Sequence, residues 1–353
     1  MVVWRPILVL LLSALMNGCG TVSFYWQAMN GQWELSRKSR PIGDVISDQA
    51  TPESLRQRLR QVEHMRAFAV SELGLPDNAS YRKYADLKRP FVVWNVFATG
   101  EFSVIPKEWC FPIAGCVGYR GYFKESAAQA FAADLRKRGH DVFVAGIPAY
   151  STLGYLDDPV LNTFIGYSES EVARLIFHEL SHQVAYVKDD TTFNESFATA
   201  VELEGVRRWL KAAGSPEMQI AFDAAQGRKR DFLQLIDKHK QALATLYGKG
   251  LPAAQTRAAK ATVFREMLTE YETLKQQWGG FAGCDFWFKQ PLNNAQLASL
   301  GLYSALVPHF QNLLTQVNGD LPRFYAEVRK LTEMKAAQRQ ALLDQTGPQR
   351  IAP

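Results

Sequence analysis

A chain of 353 residues is long enough for one large domain or two modest ones around a sizeable core. Hydrophobic residues make up 47% and aromatic residues 12%, which excludes a disordered chain. The formal charge of +5 at pH 7 is small and spread out, and it gives no case for nucleic acid as a partner.

The first residues read as a targeting segment. Arg5 precedes an apolar run from Ile7 to Met16, too short to span a bilayer comfortably, and small residues then lead to Cys19. Residues 1–18 are assigned to a signal peptide. The stretch "LMNGC" resembles a bacterial lipobox, which implies lipidation at Cys19 and a lipid-anchored, periplasm-facing place in the cell envelope. Gly20 in place of aspartate favours the outer membrane by the same resemblance. The alternative is an ordinary signal peptide or an uncleaved anchor with an incidental cysteine. Cys110 and Cys116 bracket "FPIAG" and are either a disulfide or two buried thiols. The chain has no C-x-x-C pair, which argues against a thiolate zinc site.

Residues 19–50 are expected to form a tether. A helix follows, with Thr51 as its cap and Pro52 in the first turn, stopped by Gly74 and Pro76. His64 within it reads as a surface or packing residue. "FVVWNVFATGEFSVIP" predicts a hairpin with its break near Thr99 and Gly100, and "CVGYRGYF" predicts one short strand. "KESAAQAFAADLRKRGH" reads as a helix and "DVFVAGIPAY" as a returning strand. Residues 51–165 thus form a small α/β lobe, and residues 166–353 a mainly helical one. Two long helices, 215–250 and 252–280, are joined by a short link and predicted as antiparallel neighbours, with His239 of the first in solvent. "LNNAQLASLGLYSALVPHFQNLL" and "LPRFYAEVRKLTEMKAAQRQALL" supply two more helices. The fold class is α+β, with the two lobes forming one unit.

The chemistry concentrates in "LIFHELSHQVAYVKDDTTFNESFATAVE". Ser168 and Glu171 form a capping box that starts a helix, placing His178 and His182 one turn apart on one face, well inside it. Both imidazoles can then reach a single ion, and Glu179 stands beside them as general base for a water at that ion. Ala185 and Lys188 stand where a metzincin needs glycine and histidine. The third ligand is instead Glu195, early on the next helix, if that helix folds back antiparallel. Thr192 and Glu195 also fit a capping box, so the glutamate has a purely structural reading as well. Asn194 and Glu202 are candidates for orienting the ligands. The cofactor this ligand set implies is Zn2+.

"HELSHQ", "FNESFA", "YSTLG" and "PLNNAQL" together resemble a bacterial aminopeptidase family of zinc-dependent lipoproteins, over most of the chain from "FPIAGCVGYRGYF" to "FYAEV". The resemblance implies removal of N-terminal residues from peptide substrates. It implies His178, His182 and Glu195 as metal ligands and Glu179 as the catalytic glutamate. Two features depart from better-known gluzincin aminopeptidases. Twelve residues separate His182 from Glu195, a tighter connection than in those enzymes. The edge strand that would bind substrate, Tyr150, Ser151, Thr152, Leu153 and Gly154, also lacks a carboxylate for the free amine. Asp157, Asp158 and Glu202 are the candidate anchors. Tyr303, Tyr150 and His309 are candidate donors to an oxyanion, with packing as their alternative role. An envelope endopeptidase and a non-catalytic, lipid-anchored binding protein with a structural zinc are the competing functions.

Overall fold

The computed structural model describes residues 24–111, 115–149, 151–300 and 306–346. In chain order its elements are α1 (24–38), β1 (Arg40–Pro41), α2 (Ile42–Ser47), α3 (Glu53–Ser71), β2 (Lys83–Ala85), β3 (Val93–Thr99), β4 (Trp109–Phe111), β5 (Gly115–Val117) and β6 (Arg120–Tyr122). Next come α4 (Glu125–Lys137), β7 (Asp141–Ile147), β8 (Val160–Leu161), α5 (Glu169–Ser181), α6 (Thr191–Ala213), α7 (Pro216–Tyr247) and α8 (Ala253–Gln277). The chain closes with α9 (Asp285–Phe288), α10 (Asn294–Leu300), α11 (Val307–Gln316), α12 (Leu321–Thr332) and α13 (Ala336–Thr346). This is an α+β fold with a mainly helical second half.

Three small sheets carry the strands, in the orders β1-β2-β8, β6-β3-β7 and β4-β5. All seven residues of β3 are buried, because it is a central strand covered on both faces. Trp94, Val96 and Ala98 pack towards α4, while Phe97 and Phe143 meet Ala295 of α10. The predicted hairpin does not form. Strand β3 pairs antiparallel with β6 and β7, and after Gly100 only a bridge from Thr99 to Pro106 remains. "CVGYRGYF" divides between β5 and β6, each claimed by a different neighbour. Cys110 and Cys116 form a disulfide across the β4–β5 pair.

Several other expectations are corrected. Where a tether was expected, α1 and α2 dock on the body, with Leu35, Ile42 and Val45 in the core. Thr51 lies outside α3, whose cap is Pro52, and the helix ends at Ser71 before Gly74. His239 is buried at 3% exposure beside Glu270, since it faces α8 across the long antiparallel pair. His64 is exposed, as expected. The last two predicted helices become four: the first divides into α10 and α11 and the second into α12 and α13, while Asn318 and Gly319, both at positive φ, mark the boundary expected between them. Residues 1–23, including Cys19, lie outside the described residues.

The main core packs α3, α5, α6, α11 and α12 together. Phe193 and Phe197 of α6 meet the ring of Phe310 at 5.2 and 5.8 Å between centroids, and Phe197 also meets Phe324 at 5.9 Å. Helices α5 and α6 approach closely where Gly205 lies under Phe177 and Leu73. A Cβ there would stand 2.8 Å from Phe177 Cδ2 and 2.9 Å from Leu73 Cδ1. Gly205→Val is expected to destabilise the protein by about 1–3 kcal/mol through overpacking. Denaturant unfolding with an unchanged slope checks this.

Candidate metal centre

Helix α5 starts where its capping box predicts, with Ser168 Oγ accepting from the Glu171 amide. It ends at Ser181, so His182 is its C-terminal cap rather than an interior residue. The chain then turns through Asp189, at φ 64°, and enters α6. Asp190 caps α6 by accepting from the Phe193 amide at 3.0 Å, which leaves Thr192 without that role and frees Glu195 from it. Asn194 closes the turn from within. Its Oδ1 accepts from the Val187 amide at 2.7 Å, and its Nδ2 donates to the Val187 carbonyl at 2.8 Å. Asn194 therefore holds the connection between the two helices and touches no ligand directly.

The antiparallel return brings Glu195 to the imidazoles. Its Oε2 is 3.2 Å from His178 Nε2, and its Oε1 is 3.7 Å from His182 Nε2. One donor atom from each of His178, His182 and Glu195 lies within 4.8 Å of the others, so the three could hold a metal ion. Glu202, two turns further along α6 and 1% exposed, takes the other nitrogen of His178, with Nδ1 and Oε2 2.8 Å apart. With Nδ1 turned to Glu202, Nε2 is the nitrogen of His178 that faces Glu195. Arg174 Nη1 donates to Glu202 at 2.9 Å, and Arg174 Nε donates to Glu171 at 2.8 Å. His182 is 7% exposed, and its Nδ1 has no hydrogen-bond partner among the described residues. Donor set and spacing fit a divalent ion.

Electrostatics separates the roles. Burial opposes charge on His178, but bonds to Glu195 and Glu202 outweigh it and hold its pKa up to about 10. Burial and the neighbouring His178 charge push His182 down to about 4. Burial raises Glu179 to about 7, with His178 opposing and Glu195 and Asp158 adding. For Glu202, burial is outweighed by Arg174 and His178, and the group is held at about 2. A carboxyl near neutrality beside a donor set is suited to accepting and returning a proton.

The surrounding loops are tied to this pair of helices. Buried Arg66 donates through Nε to the Ser80 carbonyl at 3.0 Å and through Nη2 to the Pro76 carbonyl at 2.6 Å. The loop it shapes presents Asn78, which donates to Gln183 Oε1 at 2.5 Å, the residue next to His182. Asp189 accepts from the Cys116 amide at 3.0 Å, so the disulfide hairpin rests on the turn between α5 and α6.

Ser151, Thr152, Leu153 and Gly154 do not form the expected edge strand. Leu153 and Gly154 have positive φ, and Asp158 accepts from the Thr152 amide at 2.8 Å and its hydroxyl at 2.9 Å, which folds the segment into a turn. Gly154 lies against Gln183, so this turn still borders the site. Asp158 is consumed by those bonds, Asp157 pairs with Lys83 at 2.8 Å, and Glu202 is committed to Arg174 and His178. All three expected amine anchors thus have partners within the protein. Tyr150 and Tyr303 lie outside the described residues. His309 is half-buried on α11, and its Nδ1 has no partner among the described residues.

Tyr186 is a residue the sequence reading missed. It is 44% exposed, and its ring meets the His182 ring at 6.3 Å between centroids. Burial, with Glu195 and Asp189 nearby, keeps its phenol protonated by raising its pKa. Its signal was its place four residues after His182.

The chain belongs to the family described as "Putative aminopeptidase", whose model matches residues 23–343. Neither a curated protein nor a solved structure matches it.

Glu202→Gln should lower the affinity for zinc about 10–100-fold by loosening the His178 ring. Isothermal titration of metal-free protein measures it. An unchanged affinity would remove Glu202 from the metal centre.

Proposed function

We propose that the protein is a zinc-dependent peptidase, acting as an aminopeptidase in keeping with its family. The observation that carries the reading is the convergence of His178, His182 and Glu195 beside Glu179. His178, His182 and Glu195 hold Zn2+, with Glu202 fixing the tautomer of His178. When bound, the ion polarises the scissile carbonyl and lowers the pKa of water towards about 7. Glu179 accepts the proton of the attacking water on its carboxylate and returns it to the leaving amine. Tyr186, at the rim beside His182, donates its phenolic proton in a hydrogen bond to the developing oxyanion. The turn at Ser151–Gly154 borders the substrate path, and Tyr303 and Tyr150 remain further candidate donors. A lipid on Cys19 would hold the enzyme on a bacterial envelope membrane, facing the periplasm.

One observation favours a second reading. Because Asp157, Asp158 and Glu202 are all engaged, an anchor for a free α-amine is missing among the expected groups, which suits an endopeptidase. Purified protein assayed on matched free and N-acetylated peptides distinguishes the two. Cleavage confined to free N-termini supports the aminopeptidase, and equal cleavage supports the endopeptidase.

Glu179→Gln is expected to retain bound zinc and lose about 10²–10⁴-fold in kcat. Undiminished turnover would remove Glu179 as the base, and bound zinc with no peptide hydrolysis by the wild type would instead leave a structural metal in a binding protein. Tyr186→Phe is expected to lower kcat by about 10²–10³-fold with KM nearly unchanged, the pattern of an interaction made in the transition state. Steady-state kinetics on the same peptides reads both.

A further inference from the structure

Helix α1 is fixed to the body along one side and bare along the other. On the docked side, Leu35 is 1% exposed, and the ring of Phe123 occupies the space a Cβ of Gly31 would fill. Gln27 donates to the Gly121 carbonyl at 3.1 Å and accepts from the Phe123 amide at 3.0 Å. Glu34 pairs with Arg89 at 2.7 Å. These contacts set the rotation of the helix about its axis. The opposite side therefore faces outward by construction.

That outward side carries Trp26, 65% exposed, Met29, 64% exposed, and Trp33, 70% exposed. Arg37, also exposed, continues the same stripe. Spacings of three, four and four residues keep all four on one helix face, over about 16 Å. Isolated exposed apolar residues need no explanation, but two tryptophans and a methionine aligned on a rigid helix do.

We infer that this face of α1 lies on a phospholipid bilayer, with the tryptophans at the boundary of headgroups and acyl chains and Arg37 among anionic headgroups. Two observations select a bilayer over other occupants. A lipid on Cys19, five residues before α1, would hold this end of the helix at a membrane. The stripe also pairs indole rings, whose apolar body and N–H suit that boundary, with a cation at its end. A helix with one apolar face and low overall hydrophobicity lies in the interface rather than crossing it, and no described helix is long and apolar enough to cross. The face would fix how the body sits on the membrane. The inference stands apart from the hydrolytic reading.

The test uses the full chain in vesicles of phosphatidylethanolamine and phosphatidylglycerol, part of the lipid being brominated high on its acyl chains. Tryptophan emission is compared between wild type and Trp26→Phe/Trp33→Phe, two substitutions at exposed sites that leave thermal unfolding unchanged. Most of the wild-type quenching should be lost in the double variant, and Met29→Glu should reduce it in a chain that keeps both tryptophans. Equal quenching in wild type and double variant overturns the inference. So does a dimer in lipid-free detergent that Trp26→Ser/Trp33→Ser disperses, since a second copy then covers the face. Emission from Trp26 and Trp33 already shifted to the blue without vesicles also overturns it, because another part of the protein then covers them.

Discussion

The buried carboxylate of Glu202 is the constraint on which the centre depends. It lies in a desolvated position between Arg174 on one side and His178 on the other, at 2.9 and 2.8 Å. An unpaired charge in such a place costs several kcal/mol, so each partner must stay in register with the others. Arg174, His178 and His182 follow one another at four-residue steps along α5, and Glu195 and Glu202 stand seven apart on α6. The two helices therefore mesh as a polar seam, Arg174 and His178 against Glu202, and His178 and His182 against Glu195. A slip of either helix by one turn would separate every pair at once. The same seam that sets the helix register also aims the donor atoms.

Around that seam the protein spends its polar side chains on backbone. Asn194 ties the ends of the α5–α6 connection, Asp190 caps α6 and is itself held by Arg339 of α13, and Asp189 receives the disulfide hairpin. Arg66 shapes the loop that presents Asn78 to Gln183. The aromatic packing of Phe193 and Phe197 beneath the centre supplies a rigid floor. Function-bearing side chains thus sit on helices, and loops are bonded so that they cannot drift from them, the arrangement a site of fixed geometry requires.

Part of this was legible before any coordinates. The H-E-x-x-H spacing and the capping box at Ser168 are local rules, since a helix fixes which residues share a face within one or two turns. They held, with the exception that His182 closes its helix. Glu195 as partner was readable only through the requirement for a third ligand, and Glu202 only as a candidate. The edge strand at Ser151–Gly154 was misread because Asp158, six residues on from Thr152, curls the segment into a turn. The tether and the hairpin after β3 were misread because each depended on a partner distant in sequence: the body that α1 docks on, and the strands β6 and β7 that flank β3. The burial of His239 against α8 belongs to the same group.

By itself the sequence determined the helical half of the molecule, the histidine pair with its glutamate, and the family that the matched residues 23–343 define. Those features rest on interactions within a few residues of chain, where periodicity and capping decide. Only the tertiary structure showed that Glu195 reaches both imidazoles, that Glu202 fixes the ring of His178, and that Tyr186 stands beside His182. It also decided which side of α1 remains bare. These answers are set by helix register and by burial, and both emerge from packing between segments that composition and spacing cannot rank.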